Sequence, residues 1–247
     1  MTNAAAQAMG GSGAPLRVLA VCTGNICRSP FLEERLAALV SEEVRPYIET
    51  SSAGIHAAFD FGRCDLLPAA TGIAEREERR PVQVDTDLLA DADLILALTT
   101  EHRADLLTTA PACRSRLFTL IEAANIAHLV TLPGHALDAA INGPMQTLDE
   151  HDPLRSVPPL PADPAQRLAW LATELDAWRG VGSSVTDSQI TDVLPEAAEG
   201  EAGDLQSVPD PHLAVRDIHP QTARVIELAA ARLAAAFDAS VVGEVGS

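Results

Sequence analysis

Residues 16–40, LRVLAVCTGNICRSPFLEERLAALV, constrain this chain more than any other stretch. Leu16 to Val21 is a short apolar run rich in Val and Leu, suited to one strand buried on both faces. It stops at Cys-Thr-Gly-Asn-Ile-Cys-Arg-Ser-Pro, residues 22–30. A helix is expected next, with Ser29 as N-cap and Pro30 at the first helical position. Leu32, Leu36, Leu39 and Val40 would form its buried stripe. Strand, tight loop and helix make an anion cradle, because loop amides and a helix N-terminus converge on one spot. Cys22 opens that loop and Arg28 closes it, with five residues between them.

The residue types inside the loop give the spacing its meaning. Gly24 turns the backbone without steric cost, and Asn25 tolerates a left-handed conformation while its amide ties the loop together. A thiol at Cys22 would sit among inward amides, the Ser29 hydroxyl and the Arg28 charge, all of which favour the nucleophilic thiolate. The planar fork of Arg28 matches two oxygens of a phosphate. A phosphate loop ending in Lys-Ser or Lys-Thr does not fit, since the chain contains no lysine. The plainer alternative is a structural cysteine beside a surface arginine.

VCTGNICRSPFLEE resembles the active-site loop of the low-molecular-weight protein tyrosine phosphatase family, which includes a branch of arsenate reductases. The resemblance implies that Cys22 is the nucleophile, that Arg28 binds the oxyanion and that Ser29 stabilises the leaving thiolate. It implies a phosphate cradle formed by Thr23, Gly24, Asn25, Ile26, Cys27, Arg28 and Ser29. It also implies a general acid in an Asp-Pro-aromatic motif. Val208-Pro209-Asp210-Pro211-His212 supplies Asp210, with His212 in the place of the usual tyrosine as a supporting residue. Ser52-Ala53-Gly54 matches the family's Ser-Ala-Gly, where the serine hydrogen-bonds the loop asparagine, and residues 92–98 match its third strand. The likeness covers about residues 15–133 and 208–238.

The implied reaction is hydrolysis of a phosphate monoester, foremost phosphotyrosine in a protein or a small aryl phosphate, without metal or organic cofactor. Arsenate reduction is the rival; its thioredoxin-linked form needs resolving cysteines near the third strand, and Val82 to Leu98 has none. A form that borrows an external thiol stays open, and a non-catalytic phosphate-binding module is disfavoured by the joint presence of Cys22, Arg28 and Asp210. The resemblance further suggests a reversible disulfide between Cys22 and Cys27; a small apolar filler is the equal alternative for Cys27.

Composition removes other classes. The net charge is −18 and all 17 basic residues are arginine, so no basic patch is offered to nucleic acid or an acidic membrane. Aromatics at 3% leave no stacking platform for bases. No run of eighteen apolar residues occurs, and residues 1–14 lack the charge and apolar core of a signal peptide, reading as a flexible N-terminus. Four cysteines without a pairing pattern fit a reducing cytoplasm. The seven histidines show no metal-ligand spacing, so no metal site is expected.

The remaining elements complete an α/β fold, a three-layer sandwich around a four-stranded parallel sheet with right-handed crossovers. Tyr47 to Ser52 reads as the second strand, Leu94 to Leu98 as the third and Arg116 to Leu120 as the fourth. Helices are expected over Val82 to Ala92 and Thr100 to Thr109; the aspartates at 85, 87, 91 and 93 read as solvated acids. Residues 55–63 would wall the pocket, with Phe59 or Phe61 either facing it or anchoring the loop to the core. The charge run at 75–80 is solvated; it offers arginines where the resemblance expects a histidine, which weakens the loop-bracing network. One domain over 15–240 is expected, with a helical insertion at about 134–207 before the general-acid loop. Within it Asp163 to Arg179 carries an N-cap aspartate, Pro164, a capping-box Gln166 and a closing Gly180. Its Leu168, Leu171, Leu175 and Trp178 face would dock on the core or, alternatively, on a partner. Residues 181–206 read as an acidic linker. His219 to Asp238 should close the fold with Ile226, Ala230, Leu233 and Phe237 inward.

Overall fold

The computed structural model describes residues 13–71, 79–131, 161–180, 204–214 and 217–242. The expectations for the N-terminal tail, most of the insertion and nearly all of the acidic linker fall outside them. Four parallel strands, β1 (Leu16–Cys22), β2 (Ile48–Gly54), β3 (Leu94–Ala97) and β4 (Leu117–Thr119), form one sheet in the order β2-β1-β3-β4. β1 is paired on both sides, Val18 with Thr50 and with Leu94, which explains why it reads as a nearly continuous apolar run.

Alternation along the strands divides the core in two. Val18, Ala20, Leu94, Leu96 and Phe118 point to one face, where they meet α1 (Arg28–Leu39), α5 (Leu120–Thr131) and the long C-terminal helix α7 (His219–Val242). Leu19, Val21, Ile95, Ala97 and Leu117 point to the other, covered by α3 (Thr86–Asp91) and α4 (Thr100–Thr109). The result is the expected three-layer sandwich. A short α2 (Leu66–Ala70) seats Leu67 in the first core.

Local chemistry sets the helix ends. Asp85 and Thr99 cap α3 and α4, accepting from the amides of Leu88 and His102. α3 is shorter than the 82–92 expectation, because Gly54 and the Val82–Val84 stretch exchange backbone hydrogen bonds as a short extension of the sheet. α1 starts two residues before the expected point: Cys27 is its N-cap, no side chain caps it, and Ser29 lies inside the first turn. Leu32, Leu36 and Val40 are buried as expected, while Leu39 is only partly covered and Phe31 takes a fully buried place.

The helix from the insertion, α6 (Pro164–Ala177), is capped by Asp163, which accepts from the amide of Ala165. Leu168, Leu171 and Leu175 are buried in the main core against α5 and α7, each contributing on the order of 2 kcal/mol. Arg179 fixes its far end, donating to the Leu117 and Arg114 carbonyls at 3.0 Å and lying 3.8 Å over the Phe118 ring. Gly180 follows with φ of +93°, the left-handed conformation that ends such a helix. Ile226, Ala230, Leu233 and Phe237 of α7 are all buried. Among the described residues no helix is long and apolar enough to cross a membrane.

Candidate active site

The site lies beyond the C-terminal end of β1, between the loop 22–28 and the segment 204–214, where open α/β sheets bind ligands. The loop carbonyls are turned outward and held. Those of Cys22, Thr23, Gly24 and Ile26 accept from the amides of Ile55, His56, Ala58 and Cys64. Because each peptide is planar and trans, the N–H groups of the following residues point the opposite way, into the cradle. β2 presses from beneath: a Cβ on Gly54 would lie 2.7 Å from the Thr23 carbonyl and 2.9 Å from the Asn25 nitrogen, so only glycine fits there.

Asn25 is the knot of the loop. Its φ of +53° is one that asparagine tolerates. Its Nδ2 donates to Ser52 Oγ at 2.8 Å and Ser29 Oγ at 3.1 Å, and its Oδ1 accepts from the Val82 amide at 2.8 Å. Ser52 in turn donates to Glu33, which pairs with Arg79. The bracing expected to be weakened by arginines at 75–80 is therefore intact, with Arg79 at its outer end. Phe59 and Phe61 are 64% and 67% exposed, so neither anchors the wall loop to the core.

Cys22 is buried, and its Sγ lies 3.0 Å from Ser29 Oγ. Ser29, displaced from the expected N-cap role, serves the thiol instead and donates to the Ala53 carbonyl at 3.2 Å. Arg28 is also buried. Its Nη1 donates to the Val208 carbonyl at 3.1 Å, and its Nη2 to Asp210 Oδ2 at 2.5 Å and Thr23 Oγ1 at 3.3 Å. Asp210 reaches this point because its segment is latched to the sheet. Val208 donates to the Leu98 carbonyl at 2.7 Å, Thr100 donates to Ser207 Oγ, and Thr222 Oγ1 donates to the Pro209 carbonyl. The His212 amide donates to Asp210 Oδ1 at 3.0 Å, fixing the carboxylate's orientation.

Sequence reading missed His102. Its Nε2 is 2.9 Å from Thr23 Oγ1, which also accepts from Arg28. Burial, then the Arg28 charge, lowers its pKa to about 4, so it is a neutral ring at the side of the cradle. The unfolded chain protonates this residue near 6.5, whereas the folded chain does so only near 4. Between those pH values the unfolded state holds more protons, so stability falls as pH drops through this window. His102 contributes on the order of 3 kcal/mol to that fall at most, and nothing above it. Melting curves from pH 4 to 7 should show a shallower acid limb in His102→Gln than in wild type.

Cys27 and Cys64 are far apart in sequence and meet in space. Coupling between the two thiols, with burial added, raises the pKa of Cys27, and the same coupling lowers that of Cys64 against its own burial. His212 and His219 complete a cluster with them, the four donor atoms lying within 4.8 Å of one another. Sequence spacing is blind to such a grouping, since its four residues come from separate segments.

Fold and loop together define an α/β sandwich that presents a buried thiol, a buried guanidinium and an aspartate at one cradle. A family model described as low molecular weight phosphotyrosine protein phosphatase matches residues 17–130. The chain is 33% identical over 109 residues to a protein-arginine-phosphatase of Geobacillus stearothermophilus, 43% of this chain and 70% of that protein. It is 33% identical over 106 residues to the low molecular weight protein-tyrosine-phosphatase Wzb of Salmonella typhi, 41% of this chain and 66% of that protein. The matched stretch thus spans about two thirds of these relatives' own length. The solved structure of YfkJ from Bacillus subtilis shares the fold, with a TM-score of 0.51 over 91% of this chain and 96% of that one at 19% identity. The chain belongs to the low molecular weight phosphotyrosine protein phosphatase family.

Proposed function

We propose that this chain hydrolyses phosphate monoesters through a phosphocysteine intermediate, with phosphotyrosine in proteins as its substrate class. The observation that carries the reading is the convergence of Cys22, Ser29, Arg28 and Asp210 from opposite ends of the chain. Cys22 attacks phosphorus in line, and Asp210 protonates the departing phenolate. Asp210 then takes a proton from water, which attacks the phosphocysteine and regenerates the thiolate. Arg28 and the amides of residues 23–29 hold the equatorial oxygens, a preorganised electrostatic cradle. Ser29 turns its one proton from the Ala53 carbonyl to Cys22 when the thiolate forms, and Ser52 holds Asn25 and through it the loop. These steps need no metal or organic cofactor. The catalytic domain runs over 15–240, interrupted at about 134–207, and acts in the cytoplasm on protein or small aryl phosphates rather than on nucleic acid or membrane.

One relative is named a protein-arginine-phosphatase, and arsenate reduction would start from the same thiolate. Purified chain should therefore be offered a phosphotyrosine peptide, a phosphoarginine peptide, and arsenate with thioredoxin, glutaredoxin or a low-molecular-weight thiol. Turnover of the phosphotyrosine peptide, with arsenate acting only as a competitive inhibitor, is the expected result. Efficient thiol-dependent arsenate turnover with negligible ester hydrolysis would overturn the assignment.

A further inference from the structure

We infer that Cys27, Cys64, His212 and His219 form a binding site for a soft divalent metal ion, best matched to zinc, that ties four segments of the active site together. Two thiols and two imidazoles are the donor set of a closed tetrahedral zinc site. With Zn–S of about 2.3 Å and Zn–N of about 2.0 Å, neighbouring donors in such a site are about 3.3–3.8 Å apart. The four donors here already lie within 4.8 Å of one another, so a shift of about 1.5 Å or less closes the shell.

A second observation, independent of that proximity, points to a ligand. His219 is 7% exposed, and its Nε2 is buried without a hydrogen-bond partner. A buried ring nitrogen left unpaired is costly unless something else engages it. The other nitrogen, Nδ1, is 2.6 Å from Asp217 Oδ1. An aspartate on one ring nitrogen fixes the ring's orientation and leaves the opposite nitrogen, Nε2, to engage an ion, the arrangement that outer-shell carboxylates give metal-bound histidines. His212 meets His219 edge to face with ring centroids 5.2 Å apart, so the two imidazoles approach from different directions, as two corners of a tetrahedron do.

The ligands come from distinct parts of the site. Cys27 belongs to the oxyanion loop, Cys64 follows the pocket wall, His212 lies two residues after Asp210, and His219 opens α7. A metal ion among them would hold the Asp210 segment against the loop without touching Cys22. Two thiolates also neutralise the ion's two charges, so the adjacent buried Arg28 meets no net cation. This inference does not depend on the proposed hydrolysis, since it concerns metal binding alone.

The test uses the full chain, purified with a non-thiol reductant, stripped by chelator and titrated with cobalt(II). Wild type should bind one equivalent, giving thiolate-to-cobalt charge transfer in the near ultraviolet and intense visible bands of tetrahedral cobalt, and zinc should bleach both. Cys22→Ser should keep the spectrum, which excludes the nucleophile as a ligand. Cys64→Ser and His219→Ala should each lose it while keeping a native circular dichroism spectrum. Asp217→Ala should bind cobalt about 10- to 100-fold more weakly, and its side chain is no ligand, so it reports on the site even if a ligand variant misfolds. Absence of tetrahedral cobalt in wild type would overturn the inference. So would a spectrum that Cys22→Ser abolishes, or one that survives in Cys64→Ser and His219→Ala.

Discussion

Cys22→Ser should reduce turnover of an aryl phosphate by at least about 10⁴-fold while leaving inorganic phosphate able to bind. The two halves of that expectation rest on different atoms. The thiol is the group that forms the bond to phosphorus, and a serine hydroxyl beside Ser29 is far harder to ionise than a thiol in the same cradle. The cradle itself is made from the N–H groups of the loop and the Arg28 guanidinium, and neither depends on sulfur. The loop carbonyls stay bonded to the 55–64 segment, Asn25 stays tied to Ser52 and Val82, and β1 keeps its pairing to β2 and β3. Steady-state kinetics give the loss, and competition of phosphate against a fluorescent oxyanion probe gives the binding, which should move less than about threefold, or 0.7 kcal/mol. Substantial activity in the variant would remove Cys22 from its role.

The parts of this site that could be read from sequence are those encoded locally. The apolar run into Cys22, the glycine and asparagine of the loop, and the helix that follows are all set by neighbours within one turn or one strand. The cap at Asp163 is of the same kind, whereas those at Asp85 and Thr99 emerge only with the structure, Asp85 having the look of a solvated acid. What could not be read depends on where distant segments land. Ser29 looks like an N-cap by its order before proline, yet the tight loop winds the helix back to Cys27 and leaves the serine hydroxyl facing the thiol. His102 carries no local mark, since a helix histidine is usually solvated; only the approach of α4 to Thr23 buries it. Cys27, Cys64, His212 and His219 have no recognisable spacing because loops and a helix start deliver them separately. The Asp210 motif was legible, but its direct pairing with Arg28 required the latch at Val208 and Ser207.

That pairing shapes the second large expectation. Asp210→Ala should lower kcat by about 10²- to 10⁴-fold, the usual worth of a positioned acid. The loss should be largest for alkyl and simple phenyl phosphates, whose leaving oxygens need a proton, and smallest for nitrophenyl phosphate, which departs as a stable anion. KM should not rise, because removing the carboxylate frees the Arg28 Nη2 from its 2.5 Å contact and removes a negative charge beside the oxyanion cradle. The rival explanation is that Asp210 matters only by holding Arg28 in place, and Asp210→Asn separates the two. Arg28 donates to Oδ2 and the His212 amide to Oδ1, so asparagine's single oxygen, turned towards Arg28, keeps that contact and gives up the His212 amide. It has no acidic proton to give. If Asp210 is the acid, Asn and Ala should fall together and show the same dependence on the leaving group. Recovery of most activity by Asn, or an equal loss for every leaving group, would make Asp210 a positioning residue and leave the proton donor to be found elsewhere in the cradle.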